Sequence, residues 1–151
     1  MLRGHDTARI DGKGRLKVPA EFLDRFLALC REDRRVFLTS LDGVTALLYP
    51  LPVWERHEAE LAELPETHPA VRKYRETVNY WGKETSLDGQ GRILIHPLLR
   101  DAAGLEGTAS VFGDRDRLRI RRFEDVAKER LIVSDEDLET IADLVEQRRN
   151  R

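Results

Sequence analysis

The side chains best suited to chemistry stand in two short stretches of one pattern. Asp11-Gly12-Lys13-Gly14-Arg15 recurs as Asp88-Gly89-Gln90-Gly91-Arg92, seventy-seven positions later. In each, a carboxylate precedes a guanidinium by four residues, with two glycines between them. The two groups could pair with each other on the surface, which contributes little to stability when exposed. They could equally hold out a fixed cation, and only around Arg15 do Lys13 and Lys17 add to the charge. Repetition in register shows a repeated structural unit, whichever use it serves.

The elements that must position these residues follow from the same stretches. Asp-Gly-x-Gly supplies a turn-initiating carboxylate and two residues free to take positive φ. The flanking Ile10 and Leu16, or Leu87 and Ile93, enter a pleated sheet, so each copy is expected to be a β-hairpin. Alternation then puts Arg15 and Lys17 on one face and Leu16 and Val18 on the other, with the cations away from the core. In the second copy Arg92 has Leu94 as its neighbour on that face. Before the first hairpin, residues 2–10 are β-compatible, and Arg3, His5 and Arg9 share one strand face.

Each hairpin is followed by a proline-led helical pattern. Phe22, Leu23, Phe26, Leu27 and Cys30 recur at helical spacing after Pro19. Two strands are expected over 36–40 and 45–49 around an Asp42-Gly43 turn. A helix carrying Trp54, His57, Leu61 and Leu64 comes next, then another over 69–82 with Val71, Tyr74, Val78 and Trp81 on one stripe. The second copy repeats the order: a short helix over 97–103 ended by Gly104, strands over 108–112 and 117–121, and a helix over 123–131. Ser134, three residues before Asp137, marks the start of a terminal helix with Leu138, Ile141, Ala142 and Val145 on one stripe. Isolated hairpins are marginal in water, so the two modules must pack together. The expected divisions are residues 1–53 for the first module, 54–82 for a helical connection, 83–122 for the second module and 123–151 for C-terminal helices.

Composition bounds the function. The formal net charge of −2 argues against nucleic acid when taken alone, but its distribution does not. Residues 1–35 carry net +3, 36–85 net −3, 86–122 net +2 and 123–151 net −4, so both hairpin modules are basic and both following segments acidic. No run approaches the roughly 18 apolar residues of a membrane span, and no signal-peptide pattern opens the chain, so a cytoplasmic protein without a membrane partner is expected. The single Cys30 excludes an internal disulfide and fits a small core residue on an apolar helix face.

The opening Met1-Leu2-Arg3-Gly4 and the two Asp-x-x-x-Arg hairpins are joined by Leu47-Leu48-Tyr49-Pro50-Leu51-Pro52-x-Trp54. With Gly91-Arg92-Ile93-Leu94-Ile95-x-Pro97-x-Leu99-Arg100, these stretches resemble the MraZ transcriptional regulators from residue 1 to about residue 122. Three features depart from the family pattern: His96 stands where relatives usually have the first of two prolines, residues 119–122 are basic where an aromatic-containing strand end is usual, and the acidic tail after Phe123 has no counterpart in it. The resemblance implies an α+β fold in which two tandem swapped-hairpin β modules of the AbrB type form a pseudo-twofold barrel with flanking helices. It implies a nucleoid-associated regulator that binds double-stranded DNA at promoter direct repeats of the division and cell-wall gene cluster. It also implies a ring-shaped homo-oligomer, an octamer or larger. Carried over to this chain, the DNA-contact motif falls on Arg15 with Lys13 beside it, and Lys17, Arg3 and Arg9 extend the basic set. Asp11, Gly12 and Gly14, and Asp88, Gly89, Gly91 and Arg92, fall in the motif's structural positions.

A β-ribbon fits the major groove, where an arginine can bind guanine O6 and N7 together. Arg15 suits that role, while Lys13 and Lys17 suit phosphates. Asp11 is expected to brace the turn or orient Arg15. Catalysis has little support: His5, His57, His68 and His96 form no metal-ligand spacing, Gly12-x-Gly14 lacks a dinucleotide-site context, and no cofactor or small-molecule substrate is expected. The rival reading is a protein-interaction module, antitoxin-like or scaffolding, that uses the acidic tail instead of DNA binding.

Overall fold

The computed structural model describes residues 1–151 and builds nearly the same series of elements twice. The first half runs β1 (His5–Ile10), β2 (Arg15–Lys17), α1 (Ala20–Leu29), β3 (Arg35–Ser40), β4 (Ala46–Pro50), α2 (Leu51–Ala62) and α3 (Pro69–Tyr80). The second runs β5 (Lys83–Ser86), β6 (Arg92–Leu94), α4 (Pro97–Ala103), β7 (Gly107–Asp114), β8 (Arg117–Arg122), α5 (Phe123–Lys128) and α6 (Asp135–Arg149). Proline ends strands and opens helices at the boundaries: Pro19 and Pro50 are N-caps with φ of −55°, and Pro97 is the first residue of α4.

All eight strands join one antiparallel sheet in the order β5-β3-β4-β8-β7-β1-β2-β6. The first strand of each half pairs with the third strand of the other. Thus β1 runs against β7 from His5↔Phe112 to Ile10↔Gly107, and β5 against β3 from Arg35↔Ser86 to Leu38↔Lys83. The second strands pair with each other, as do the fourth. Exchanging β1–β4 with β5–β8 preserves every strand pairing except β1–β2, whose counterparts β5 and β6 are the two ends of the sheet, so the halves are related by a pseudo-twofold topology. The second hairpin, where the Asp88 N–H donates to the Arg92 carbonyl at 3.0 Å, brings β5 back towards β6, so the sheet is nearly closed into a barrel. The fold class is α+β.

Alternation sends one apolar set inward. Leu16, Val18, Leu38, Leu48, Ile93, Ile95, Leu118 and Ile120 are fully buried, and Phe22 and Phe26 from α1 with Leu99 from α4 complete the core. Each such side chain stabilises the fold by roughly 1.5–3 kcal/mol relative to exposure. A second, smaller cluster lies outside the barrel, where Leu47 and Tyr49 of β4 meet Val53 and Trp54 of α2 and Val78 of α3. Phe37 stacks on Trp54 there with ring centroids 4.6 Å apart, and the Thr39 hydroxyl donates to the Val78 carbonyl at 2.7 Å. His57 meets the Tyr74 hydroxyl at 2.7 Å beside that cluster. Cys30 is half-buried, and burial pushes its thiol pKa up to about 11, which fits a packing residue rather than a nucleophile.

Several elements differ from expectation at their ends. The seventh strand runs on to Asp114 because the turn to β8 is tight, with Arg115 at φ +62°. The helix expected over 123–131 stops at Lys128. Val126 stands on α5 where α2 has Trp54, and the Arg121 Nη1 donates to Glu129 Oε2 at 2.9 Å just beyond the helix end. Leu64 lies past the end of α2 and is exposed, while Trp81 caps α3 and packs on the main core. No residue of α6 is buried. No helix is long and apolar enough to cross a membrane.

Candidate nucleic-acid interface

Each hairpin turn is organised by its aspartate. Asp11 Oδ1 accepts from the backbone N–H groups of Lys13 and Arg15, both at 2.9 Å, and Oδ2 accepts from Arg15 Nε at 2.8 Å. Asp88 repeats the pattern with the N–H groups of Gln90 and Arg92, both at 2.9 Å, and with Arg92 Nε at 2.9 Å. The backbone N–H of Arg15 does most to hold the Asp11 carboxyl below the usual 3.8, and that of Arg92 does the same for Asp88. Both aspartates therefore brace a turn and fix an arginine. Because the carboxylate takes Nε, the two terminal amino groups of each guanidinium hydrogen-bond to nothing else in the chain.

Gly14 and Gly91 hold the positive φ values that the turns require, +83° and +73°. Their surroundings differ. A Cβ on Gly14 would lie 1.5 Å from Arg100 Nη1, whereas one on Gly91 would meet Leu23 Cδ2 at 2.9 Å. Arg100 and Leu23 occupy equivalent places, again seventy-seven positions apart. The Arg100 guanidinium donates to the Lys13 carbonyl at 3.2 Å and the Ile95 carbonyl at 3.3 Å, tying the first turn to the second module. Its role was not foreseen, although the repeat spacing that aligns it with Leu23 is present in the sequence.

The two hairpins interlock. Across the β2–β6 ladder Arg15 stands opposite Leu94, Leu16 opposite Ile93, and Lys17 opposite Arg92. The Val18 N–H donates to the Gly91 carbonyl and the Ile95 N–H to the Gly14 carbonyl, each at 2.9 Å, so the exchange is reciprocal. Leu16 and Ile93 point into the core, which turns Arg15, Lys17, Arg92 and Leu94 together onto one outer face. Continuing the Ile10↔Leu16 register by one step sets Arg9 beside Lys17 on that face, and Lys13 is exposed in the adjoining turn. Arg3 is not part of this group. It precedes β1 at the end remote from the hairpin, next to the bridge between Leu2 and Arg115.

The resulting surface is a two-stranded ribbon, fixed by a nearly closed barrel beneath it, with cations from both modules on one side. Such a surface can offer paired N–H donors to a base edge and point charges to phosphates. No grouping of histidine, cysteine and acidic side chains suited to holding a metal ion occurs.

Known proteins place the chain. It is 41% identical over 150 residues to the "Transcriptional regulator MraZ" of Koribacter versatilis, covering 95% of this chain and 99% of that one. The chain belongs to the MraZ family. The MraZ regulator of Acidobacterium capsulatum is 40% identical over 124 residues, covering 82% of this chain and 84% of that one. The MraZ regulator of Pseudomonas aeruginosa is 33% identical over 120 residues, covering 80% and 79%. No protein-family model matches the chain. The 95% match exceeds what residues 1–122 alone would supply, so MraZ similarity extends into the C-terminal segment beyond the limit expected from the motifs.

Proposed function

We propose that this MraZ-family chain is a sequence-specific DNA-binding transcriptional regulator. The observation that carries the reading is the single outer face bearing Arg15, Lys17 and Arg92, with both guanidinium groups fixed through Nε and open at their terminal amino groups. In this reading the β2–β6 ribbon enters the major groove and Arg15 binds guanine O6 and N7, for roughly 1–3 kcal/mol of discrimination. Lys13, Lys17 and Arg9 neutralise phosphates, which supplies affinity and salt dependence. Arg92, paired to its own aspartate in the same way, is the second base-contact residue. Arg3 stands apart and is left outside the contact set.

One ribbon is small for tight binding, so the reading includes a homo-oligomeric ring that presents successive ribbons to direct repeats and gains affinity by effective concentration. The promoter of the division and cell-wall gene cluster is the proposed target, with the protein cytoplasmic and nucleoid-associated. Residues 1–53 and 83–122 act as the two modules, joined by 54–82 and followed by 123–151.

A fluorescence-anisotropy titration of wild type and Arg15→Ala tests the reading, using DNA from upstream of the protein's own gene cluster. Binding by wild type alone, with oligomer size unchanged, supports it. Absence of binding by either protein while both assemble favours a protein partner instead.

A further inference from the structure

The terminal helix α6 is a well-specified helix without a partner. Ser134 Oγ accepts from the Asp137 N–H at 3.0 Å, and the Asp137 carboxylate accepts in return from the Ser134 N–H, a reciprocal cap that sets the helix start. Yet a helix of this length is marginal by itself in water and depends on burying an apolar face. That face exists and is bare: Leu138, Ile141, Leu144 and Val145 remain 44–58% exposed.

Charge indicates what covers it. The first turn of α6 carries Asp135, Glu136 and Asp137, and the last turn carries Arg148 and Arg149. At about 100° per residue, Asp135 and Arg149 flank one side of the apolar stripe and Asp137 and Arg148 the other. An antiparallel second copy of α6 would therefore set acid against base at both ends and on both flanks. A parallel copy would set like against like.

We infer that α6 is a homotypic docking element that pairs antiparallel with α6 of a second copy of this chain, burying the Leu138–Ile141–Val145 stripe. Such a contact is isologous and closes after two chains, so it joins pairs of subunits and cannot by itself propagate a ring. It does not depend on DNA recognition, because its residues lie outside the β2–β6 face.

The test uses the full-length chain with Cys30→Ala and one introduced thiol. In an antiparallel pair, the two copies of residue 141 lie near the middle of the seam, whereas the two copies of residue 150 lie about 24 Å apart, from a rise of 1.5 Å per residue. A short bismaleimide should couple Ile141→Cys chains to one another and leave Asn150→Cys chains uncoupled. Coupling at both positions would overturn the inference in favour of a parallel pair, and absence of coupling at Ile141→Cys would overturn the pairing itself. A second arm reverses charge in the Ile141→Cys background. Arg149→Glu, or Asp135→Lys, which face each other on one flank of the antiparallel pair, should each lose coupling alone and regain it when the two proteins are mixed. Unchanged coupling in each reversed protein alone would contradict the role assigned to charge. Apart from Cys30→Ala, common to every protein in the test, these substitutions lie on or just past an exposed helix and leave the barrel core untouched.

Discussion

Lys17 stands directly across the β2–β6 ladder from Arg92. The cation that distinguishes the first hairpin in sequence therefore serves the arginine of the second in space. Arg15 faces exposed Leu94 across the same ladder. The local difference that remains is Lys13 against Gln90 in the turns, together with the Arg100 brace behind the first.

Both arginines are accordingly expected to matter. Arg15→Ala should weaken DNA binding by about 1–3 kcal/mol and relax preference at one base position. Arg92→Ala should lose less, because its turn lacks Lys13, and Gln90→Lys should strengthen binding through the second hairpin. Titrations of the three variants against one promoter fragment check the order. Equal losses for the two arginines would remove the asymmetry.

Lysine substitutions should behave differently. Lys13→Ala and Lys17→Ala are expected to weaken binding to every sequence alike, and each should reduce the slope of log affinity against log salt by about 1. Measuring affinity across a salt series checks this, and a flat response in wild type would contradict multivalent phosphate contact.

Gly14→Ala should be the most damaging glycine substitution in the two turns. Its φ of +83° costs an L-residue roughly 1–2 kcal/mol, and the new Cβ would displace the Arg100 guanidinium from the first turn. Gly91→Ala meets only the end of Leu23, and Gly12→Ala and Gly89→Ala meet nothing within 4 Å. Denaturant unfolding should rank Gly14 first, Gly91 second and the other two last. Arg100→Ala should loosen the first turn, read as weaker DNA binding at unchanged oligomer size.

Acid should act through the turn carboxylates. Asp11 and Asp88 have folded pKa values below 3.8, so their contribution is present above the unfolded value and is lost as pH falls through the lower folded values. Asp11→Asn with Asp88→Asn should reduce stability at neutral pH and flatten the part of the decline that lies below pH 3.8. Thermal melts across that range measure both effects.

Much of this architecture is legible in the sequence because local chemistry dictates it. Asp-Gly-x-Gly fixes the turns, proline marks helix starts, and the alternation of Leu16 and Val18 with Arg15 and Lys17 sets the faces. The pairing of Lys17 with Arg92 is not legible, since register between strands from different modules depends on how the whole sheet assembles. The Arg100 brace is hidden for the same reason. The early end of α5 is not legible either: it falls where Arg121, in the strand that leads into the helix, binds Glu129 just past its last residue. At α6 the stripe is visible in sequence, whereas the fold shows that no residue of the helix is buried.

Whether Arg15 reads a guanine is tested most directly by a double cycle. Wild type and Arg15→Ala are each titrated against a promoter repeat, with and without 7-deazaguanine at each guanine in turn. The account predicts one position where loss of N7 weakens wild type yet leaves Arg15→Ala unaffected. If every substitution weakens both proteins equally, Arg15 contacts no guanine N7 and the ribbon does not read sequence in the way proposed.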